Sequence, residues 1–298
     1  MTQVFLNGAF VDRDDARVGA FDAGMQHAVG LFETMAGSIA DGEASIARLD
    51  KHLERLTTSA RELGLAKELN AGPIGEAALE TVKRAGHERA RVRLTVTGGD
   101  LNLLETGGKS QHRPTILIAA TPATAYPDEM FERGVAVTIA DARANPLDPT
   151  ASHKTLNYWW RLRELQAAAS KGAGEAVVLQ VTNHLAGGCV SNLFVVKEGR
   201  LHTPIARGEE EMVGGKASLP SPVLPGVTRG AVIDAAHEQG LEVERRMLSV
   251  NDLLDADEVF LTNSSFGVLP VVKVEAEAIG DAVVGDVTKK VRDALTTT

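Results

Sequence analysis

Apolar residues at Ile46, Leu49, Leu53, Leu56, Ala60 and Leu63 recur every three or four positions. That is the period of a helix with one buried face, and it predicts an amphipathic helix over 44–64. Pro73 suits the first turn of a second helix, about 73–85. The period then changes. Over 90–97, Val92, Leu94 and Val96 alternate with Arg91, Arg93, Thr95 and Thr97, which predicts a strand with one apolar and one polar face. Val4 to Gly8 reads as a strand running into a tight turn, and Thr115 to Ala120 as another strand.

Pro122 to Pro127 holds two prolines among small residues and reads as a linker. It divides the chain into a small N-terminal domain at 1–121, a connection at 122–133 and a larger domain at 134–298. The larger part reads as a strand (134–141), a helix (156–171), a strand (175–181) and a hairpin turning at Glu198–Gly199 (191–203). A Pro- and Gly-rich loop at 204–226 follows, then a helix (228–240), strands near 241–247 and 257–262, and a last helix (286–295). Helices and strands alternate in both halves without a clean βαβ repeat.

Bulk properties narrow the partners. A length of 298 residues fits about two domains, and 44% hydrophobic content can build sizeable cores. A net charge of −9 argues against a general nucleic-acid binder, which needs a basic face. Anionic small ligands stay open, because local fields can oppose net charge. The single cysteine, Cys189, excludes an internal disulfide and a Cys-rich zinc site, and a reducing, cytoplasmic setting fits. No apolar run reaches membrane-spanning length, and no basic segment precedes an apolar core at the N-terminus, so neither a membrane span nor a secretory leader is expected.

The candidate chemistry centres on Lys154, in Ser152–His153–Lys154–Thr155–Leu156–Asn157–Tyr158. A lysine withdrawn from water can lose its charge and bind an aldehyde as a Schiff base. Gly226–Val227–Thr228 opens the helix at 228–240, and free N–H groups at a helix start attract phosphate. Asn263–Ser264–Ser265 follows a strand at its C-terminal end, a favoured ligand position. Arg55 lies on the 44–64 helix, and Arg91 and Arg93 share one strand face where guanidiniums can hold a carboxylate. Each also has an ordinary structural reading: a threonine N-cap, a polar turn, a solvated helix arginine, a solvent face paired with acids. Rival motifs fail. Gly172–Ala173–Gly174 lacks the third glycine of a dinucleotide fingerprint. Gly215–Lys216–Ala217–Ser218 lacks the first P-loop glycine and its hydroxyl residue, and His237–Glu238 has no second histidine at helical spacing.

Taken in order and spacing, these segments resemble the class IV, or fold type IV, pyridoxal-phosphate aminotransferases from about Val4 to Val287. That family includes branched-chain aminotransferases, D-amino-acid aminotransferases and aminodeoxychorismate lyases. Its N-terminal pattern matches Asp22 through Gly30–Leu31–Phe32–Glu33–Thr34, its His-x-x-Arg-Leu matches His52 to Leu56, and its Lys-x-x-Asn matches Lys154 and Asn157. The resemblance implies an α+β, two-domain fold, with a smaller N-terminal α/β sandwich and a larger C-terminal domain holding a pseudo-barrel of mixed strands and flanking helices. It implies pyridoxal 5'-phosphate as cofactor, an amino acid and a 2-oxo acid as substrates, a homodimer, and no metal. Lys154 becomes the Schiff-base lysine. Arg55, Val227, Thr228, Asn263 and Ser264 become phosphate ligands, with Tyr158, Asn157 and Arg143 as weaker candidates on the 3'-oxygen side. Arg93, Phe32 and His27 fall on the substrate side.

Three departures leave the branch open. The family places a glutamate five residues before the asparagine of Ser-Asn-x-Phe, where it keeps the cofactor's ring nitrogen protonated. Here that position is Gly187. Its loss costs on the order of 10²-fold or more in rate unless another group substitutes, and Glu209, Glu210 and Glu211 in the 204–226 loop are the acids on offer. His27–Ala28–Val29 stands where many members carry a tyrosine, and Gly98–Gly99–Asp100 follows the 90–97 strand where the D-amino-acid branch and many lyases carry an arginine. Three functions therefore stand: an aminotransferase, a carbon–oxygen lyase of the aminodeoxychorismate type, favoured by the Asn263 to Pro270 run, and a cofactor-binding protein impaired in catalysis.

Overall fold

The structure is a computed structural model that describes residues 2–100, 113–213 and 219–296. The chain divides into two compact units, Met1–Thr124 with His153–Asn157, and Ala125–Ser152 with Tyr158–Thr298. The Gly215 to Ser218 run and most of the 98–113 segment lie outside the described residues.

The first unit begins with β1 (Gln3–Leu6) and β2 (Ala9–Asp12), joined at Asn7–Gly8. Both turn residues have positive φ, 49° and 97°, as a tight hairpin of this twist requires. There follow α1 (Ala23–His27), β3 (Gly30–Ala40), β4 (Glu43–Ile46), α2 (Leu49–Glu62), α3 (Ala71–Ala85), β5 (Arg89–Thr97) and β6 (Thr115–Pro122). The strands form an antiparallel sheet in the order β2-β1-β6-β5-β3-β4. Val92, Leu94 and Val96 are fully buried, as their alternation predicts, and pack with Leu53, Leu56, Val82 and Ile118 under α2 and α3.

Two expectations need correction here. The predicted helix 44–64 starts only at Leu49, because Ile46 pairs with Gly37 in β4 and Arg48 takes a left-handed φ of 50°. The eleven-residue β3 was not anticipated, since its small and polar residues break the alternation.

The second unit contains α4 (Glu129–Glu132), β7 (Val135–Ala144), α5 (Trp159–Ser170), β8 (Glu175–Gln180), β9 (Leu185–Gly188), β10 (Asn192–Lys197) and β11 (Arg200–Thr203). It continues with α6 (Val227–Glu238), β12 (Val243–Arg245), α7 (Val250–Leu254), β13 (Glu258–Asn263), β14 (Gly267–Val274), β15 (Glu277–Ala278) and α8 (Asp286–Thr296). Its sheet is mixed, in the order β12-β11-β10-β13-β14-β7-β8-β9, with β15 on β14. Phe194 and Phe260 stack 4.9 Å apart at its centre, beneath Val232, Ala236 and Val291 of α6 and α8. The helix predicted at 156–171 begins at Trp159, because the residues before it are held as extended chain in the first unit.

Candidate active site

Lys154 owes its position to an unfinished strand edge. β5 pairs with β3 along Gly30–Ser38, whereas β4 pairs only with Gly37–Ala40. The segment around Lys154 closes the edge near Gly30–Phe32: Phe32 N–H donates to the Lys154 carbonyl at 2.9 Å, Leu156 N–H to the Gly30 carbonyl at 3.0 Å, and Leu31 bridges Thr155. Gly30 is required here, because a Cβ would lie 2.7 Å from both the Val96 carbonyl oxygen and Leu156 Cδ1. His153 is buried and ties the segment to α2, with Nδ1 2.9 Å from the Ser59 hydroxyl. Lys154 itself is half-buried. Its Nζ stands 4.5 Å from the centroid of the Phe32 ring, and the Arg93 guanidinium stands 3.4 Å from the same centroid. The amine and the guanidinium are therefore at most about 8 Å apart, each in reach of a cation–π interaction.

Successive residues of β3 face opposite sides. Phe32 lies with Arg93, while Glu33 turns toward α2. Glu33 accepts from His52 Nδ1 at 2.7 Å and from Arg55 through both Nε, at 2.9 Å, and Nη2. The bidentate pair fixes the plane of the Arg55 guanidinium. Burial pushes the Glu33 carboxyl up, but the Arg55 charge and the bonds from His52 and Arg55 outweigh it and hold the group at about 2.

The second unit offers a different surface. α6 opens on Gly226, with no side chain capping its first N–H groups. A Cβ at 226 would fall 1.9 Å from Asn192 Oδ1, so only glycine lets the helix start come this close to β10. The Asn192 amide donates to the Leu224 carbonyl at 2.9 Å and holds the approach to the helix. Thr228 Oγ1 lies 3.3 Å from Ser264 Oγ, which joins the helix start to the turn after β13. Asn263 shapes that turn by accepting from the N–H groups of Ser265, at 2.8 Å, and Phe266, at 2.9 Å. Uncapped N–H groups, a positive helix end and two hydroxyls suit a phosphoryl group.

Gly187 pairs with Val178 near the end of β9, just past an irregularity in the β8–β9 register, and the bend at 189–191 then leads to β10. Its φ is +147°, and a Cβ there would sit 2.8 Å from the Ser191 carbonyl oxygen. The buried Glu175 holds the bend. One carboxylate oxygen accepts from Val190 N–H and the Ser191 hydroxyl, both at 2.9 Å, and the other from Ala176 N–H at 2.8 Å and Cys189 N–H at 3.2 Å. Burial pushes the Glu175 carboxyl above its usual range in spite of these donors. Burial likewise drives the Cys189 thiol up to about 12, with Glu175 adding to it, so Cys189 is an inert core residue. Arg161 donates to the Cys189 carbonyl at 3.1 Å and lies 4.4 Å from the Trp160 ring.

Of the residues singled out in the sequence, Lys154, Phe32, Arg93 and Arg55 belong to the first unit, and Thr228, Ser264, Val227 and Asn263 to the second. His27 is exposed at the end of α1, and Asn157 is exposed after the Lys154 strand. Tyr158 is half-buried at the N-cap of α5. Arg143 is exposed and donates to its own main chain, to the Asp141 carbonyl at 3.0 Å among others. Glu209 is no substitute acid. It pairs with Arg229 through both oxygens at 2.7 Å and with Arg245 at 3.1 Å, and it accepts from Ala206 N–H. Burial opposes its charge, but the Arg229 bonds and charge win and hold it below the usual range. Sequence reasoning missed Glu175 and Arg161, which carry no motif. It also missed the part played by Glu33, although that residue stands inside the matched Gly-x-Phe-Glu-Thr run.

The amino-transferase class IV profile matches residues 30–274. The chain belongs to this family. A putative branched-chain-amino-acid aminotransferase of Methanocaldococcus jannaschii is 31% identical over 98% of this chain and 94% of its own length. Among solved structures, the T.th. branched-chain amino acid aminotransferase with pyridoxamine 5'-phosphate superposes with a TM-score of 0.86 at 26% identity, covering 98% of this chain and 92% of that one. The 4-amino-4-deoxychorismate lyase of Pseudomonas aeruginosa gives 0.81 at 26% identity over 99% and 98%. The fold is thus that of the class IV aminotransferases, as the motifs imply.

Proposed function

We propose that this class IV enzyme exchanges an amino group between an amino acid and a 2-oxo acid with pyridoxal 5'-phosphate as its cofactor. The observation that carries the reading is Lys154 on the β3 edge, its amine over a Phe32 ring that Arg93 also covers. When bound, the cofactor supplies an aldehyde that takes up amino groups and a ring that draws electrons from the reacting carbon. Lys154 would hold the aldehyde covalently. Once displaced, its Nζ would take the substrate's Cα proton and hold it for delivery to the carbon that had carried the aldehyde. Arg93 would orient the substrate carboxylate, with Phe32 and His27 lining the substrate side. Arg55, Val227, Thr228, Asn263 and Ser264 would bind the phosphate, and Asn157 and Tyr158 the 3'-oxygen side.

The relative solved with pyridoxamine 5'-phosphate supports the cofactor. The protein would act as a homodimer, and each unit exposes large apolar side chains that an assembly would cover: Phe21 and Met25 in the first, Leu147 and Trp159 in the second. Among the described residues no helix is long and apolar enough to cross a membrane. We place the protein in the cytoplasm, where a single buried thiol stays reduced.

The test is a half-reaction. Cofactor added to the chain should give a visible absorbance band that fades with an amino acid, returns with a 2-oxo acid, and never forms in Lys154→Ala. A band indifferent to amino acids of either hand would overturn the assignment and leave a cofactor-binding protein. The lyase reading rests on the Asn263 to Pro270 run and on the similarity to the Pseudomonas aeruginosa lyase. Release of pyruvate and 4-aminobenzoate without any 2-oxo acid would put it first.

A further inference from the structure

The end of β9 at Gly187–Gly188 and the bend at 189–191 depart from the family pattern in a way that goes beyond one missing acid. In that pattern the position of Gly187 carries the glutamate that faces the cofactor's ring nitrogen. Here the backbone at 187 has φ +147°, a region L side chains rarely adopt, and a Cβ would be driven to 2.8 Å from the Ser191 carbonyl. Backbone oxygen cannot swing aside as a side chain can, so the position is closed to any carboxylate.

The neighbouring charged groups do not fill the role. Both oxygens of Glu175 are occupied, by Ala176 N–H of its own strand and by the bend at Cys189, Val190 and Ser191. Glu164 is buried and accepts from Asp141 N–H at 2.9 Å. The Cys189 thiol is buried. The charged group that bonds the bend from α5 is cationic: Arg161, with its guanidinium on the Cys189 carbonyl. A cation beside a pyridine opposes its protonation, whereas a carboxylate favours it.

We propose that the end of β9 at Gly187, the 189–191 bend and Arg161 give this enzyme a neutral ring-nitrogen environment, so that the bound cofactor works with an unprotonated pyridine. Glu175 acts as a positioning residue that keeps the bend in place. A neutral ring withdraws electrons less strongly, and proton handling at Lys154 then carries more of the reaction. The inference rests on pyridoxal phosphate being held at Lys154, as proposed above.

The experiment is nitrogen NMR of the holoenzyme reconstituted with cofactor labelled at the ring nitrogen. The expected resonance is that of a neutral pyridine, unchanged across neutral pH. A pyridinium resonance with cofactor fixed on Lys154 by borohydride overturns this inference alone, while cofactor that cannot be fixed on Lys154 overturns the reading beneath it as well. A second measurement uses a cofactor analogue with carbon in place of the ring nitrogen. The half-reaction should slow by less than about tenfold, and a loss on the order of 10²-fold or more would contradict the proposal. Gly187→Glu provides a third. It should lower the melting temperature and leave the resonance neutral in any folded fraction. A variant as stable as the parent that shows a pyridinium would show position 187 to be open after all.

Discussion

Glu33→Gln separates electrostatics from packing at the centre of the first unit. The amide keeps the shape of the carboxylate but sets an NH2 against donors, where Glu33 accepts from His52 and twice from Arg55. Glu33 is 1% exposed, so water cannot take over these bonds. Its carboxyl is held at about 2 against an ordinary 4.5, with burial opposing and the Arg55 charge prevailing. A depression of that size corresponds to about 3 kcal/mol of stability. It agrees with the ~3–5 kcal/mol lost when one partner of a buried pair is removed.

The sign with pH follows from linkage. A folded-state pKa below the unfolded one stabilises the fold above pH 4.5, and the gain is lost as pH falls toward 2. At pH ~3 about half of the value at neutral pH should remain. The assay is hydrogen exchange of peptides spanning β3 and β5 in the apo chain. At neutral pH these amides should open on the order of 10²-fold more often in the variant, and the gap, after correction for intrinsic exchange, should shrink to about tenfold near pH 3. A gap below about threefold at neutral pH, or one that does not change with pH, would show that Glu33 is a packing residue and that Arg55 is not fixed by it.

Other outcomes follow from the same geometry. If Arg93 orients the substrate carboxylate as proposed, Arg93→Gln should raise the KM for amino acids by about 10- to 10²-fold with a smaller effect on cofactor binding, for a lost charged partner worth roughly 1.5–3 kcal/mol; steady-state kinetics and a cofactor titration check it. With Thr228 on the phosphate as proposed, Thr228→Ala should weaken cofactor binding by about tenfold, roughly one hydrogen bond, as measured by fluorescence titration. Glu209→Gln should speed proteolysis at 204–211, since it breaks the pair with the buried Arg229. That protection should also weaken in the parent as acid protonates Glu209, whose carboxyl lies below its usual range.

How much of this was legible in the chain depended on whether the signal was local. The alternation at 90–97 and the period of α2 fixed two core elements, because burial of Val92, Leu94, Leu53 and Leu56 needs only one face and one period. The start of α2 was misplaced for the same reason: Ile46 fits a helical period and a strand alike, and only its pairing with Gly37 decides. β3 stayed hidden because it is held by partners on both sides rather than by its own composition. The site shows the same divide. Lys154, Arg55, Thr228 and Ser264 could be picked out as spaced motifs, but the Glu33–Arg55 pair joins residues 22 positions apart and the Glu175–Ser191 bond residues 16 apart. Neither separation leaves a local trace. Glu209 looked as available as its neighbours, and only tertiary structure commits it to Arg229.

The central claim is that Lys154 is the amine that holds the cofactor. Borohydride reduction of the reconstituted protein, followed by digestion and mass spectrometry, tests it most directly. The account predicts one phosphopyridoxyl group per chain, on the peptide carrying Lys154 and absent from Lys154→Ala. The same group found on another lysine, or retained in Lys154→Ala, would contradict it.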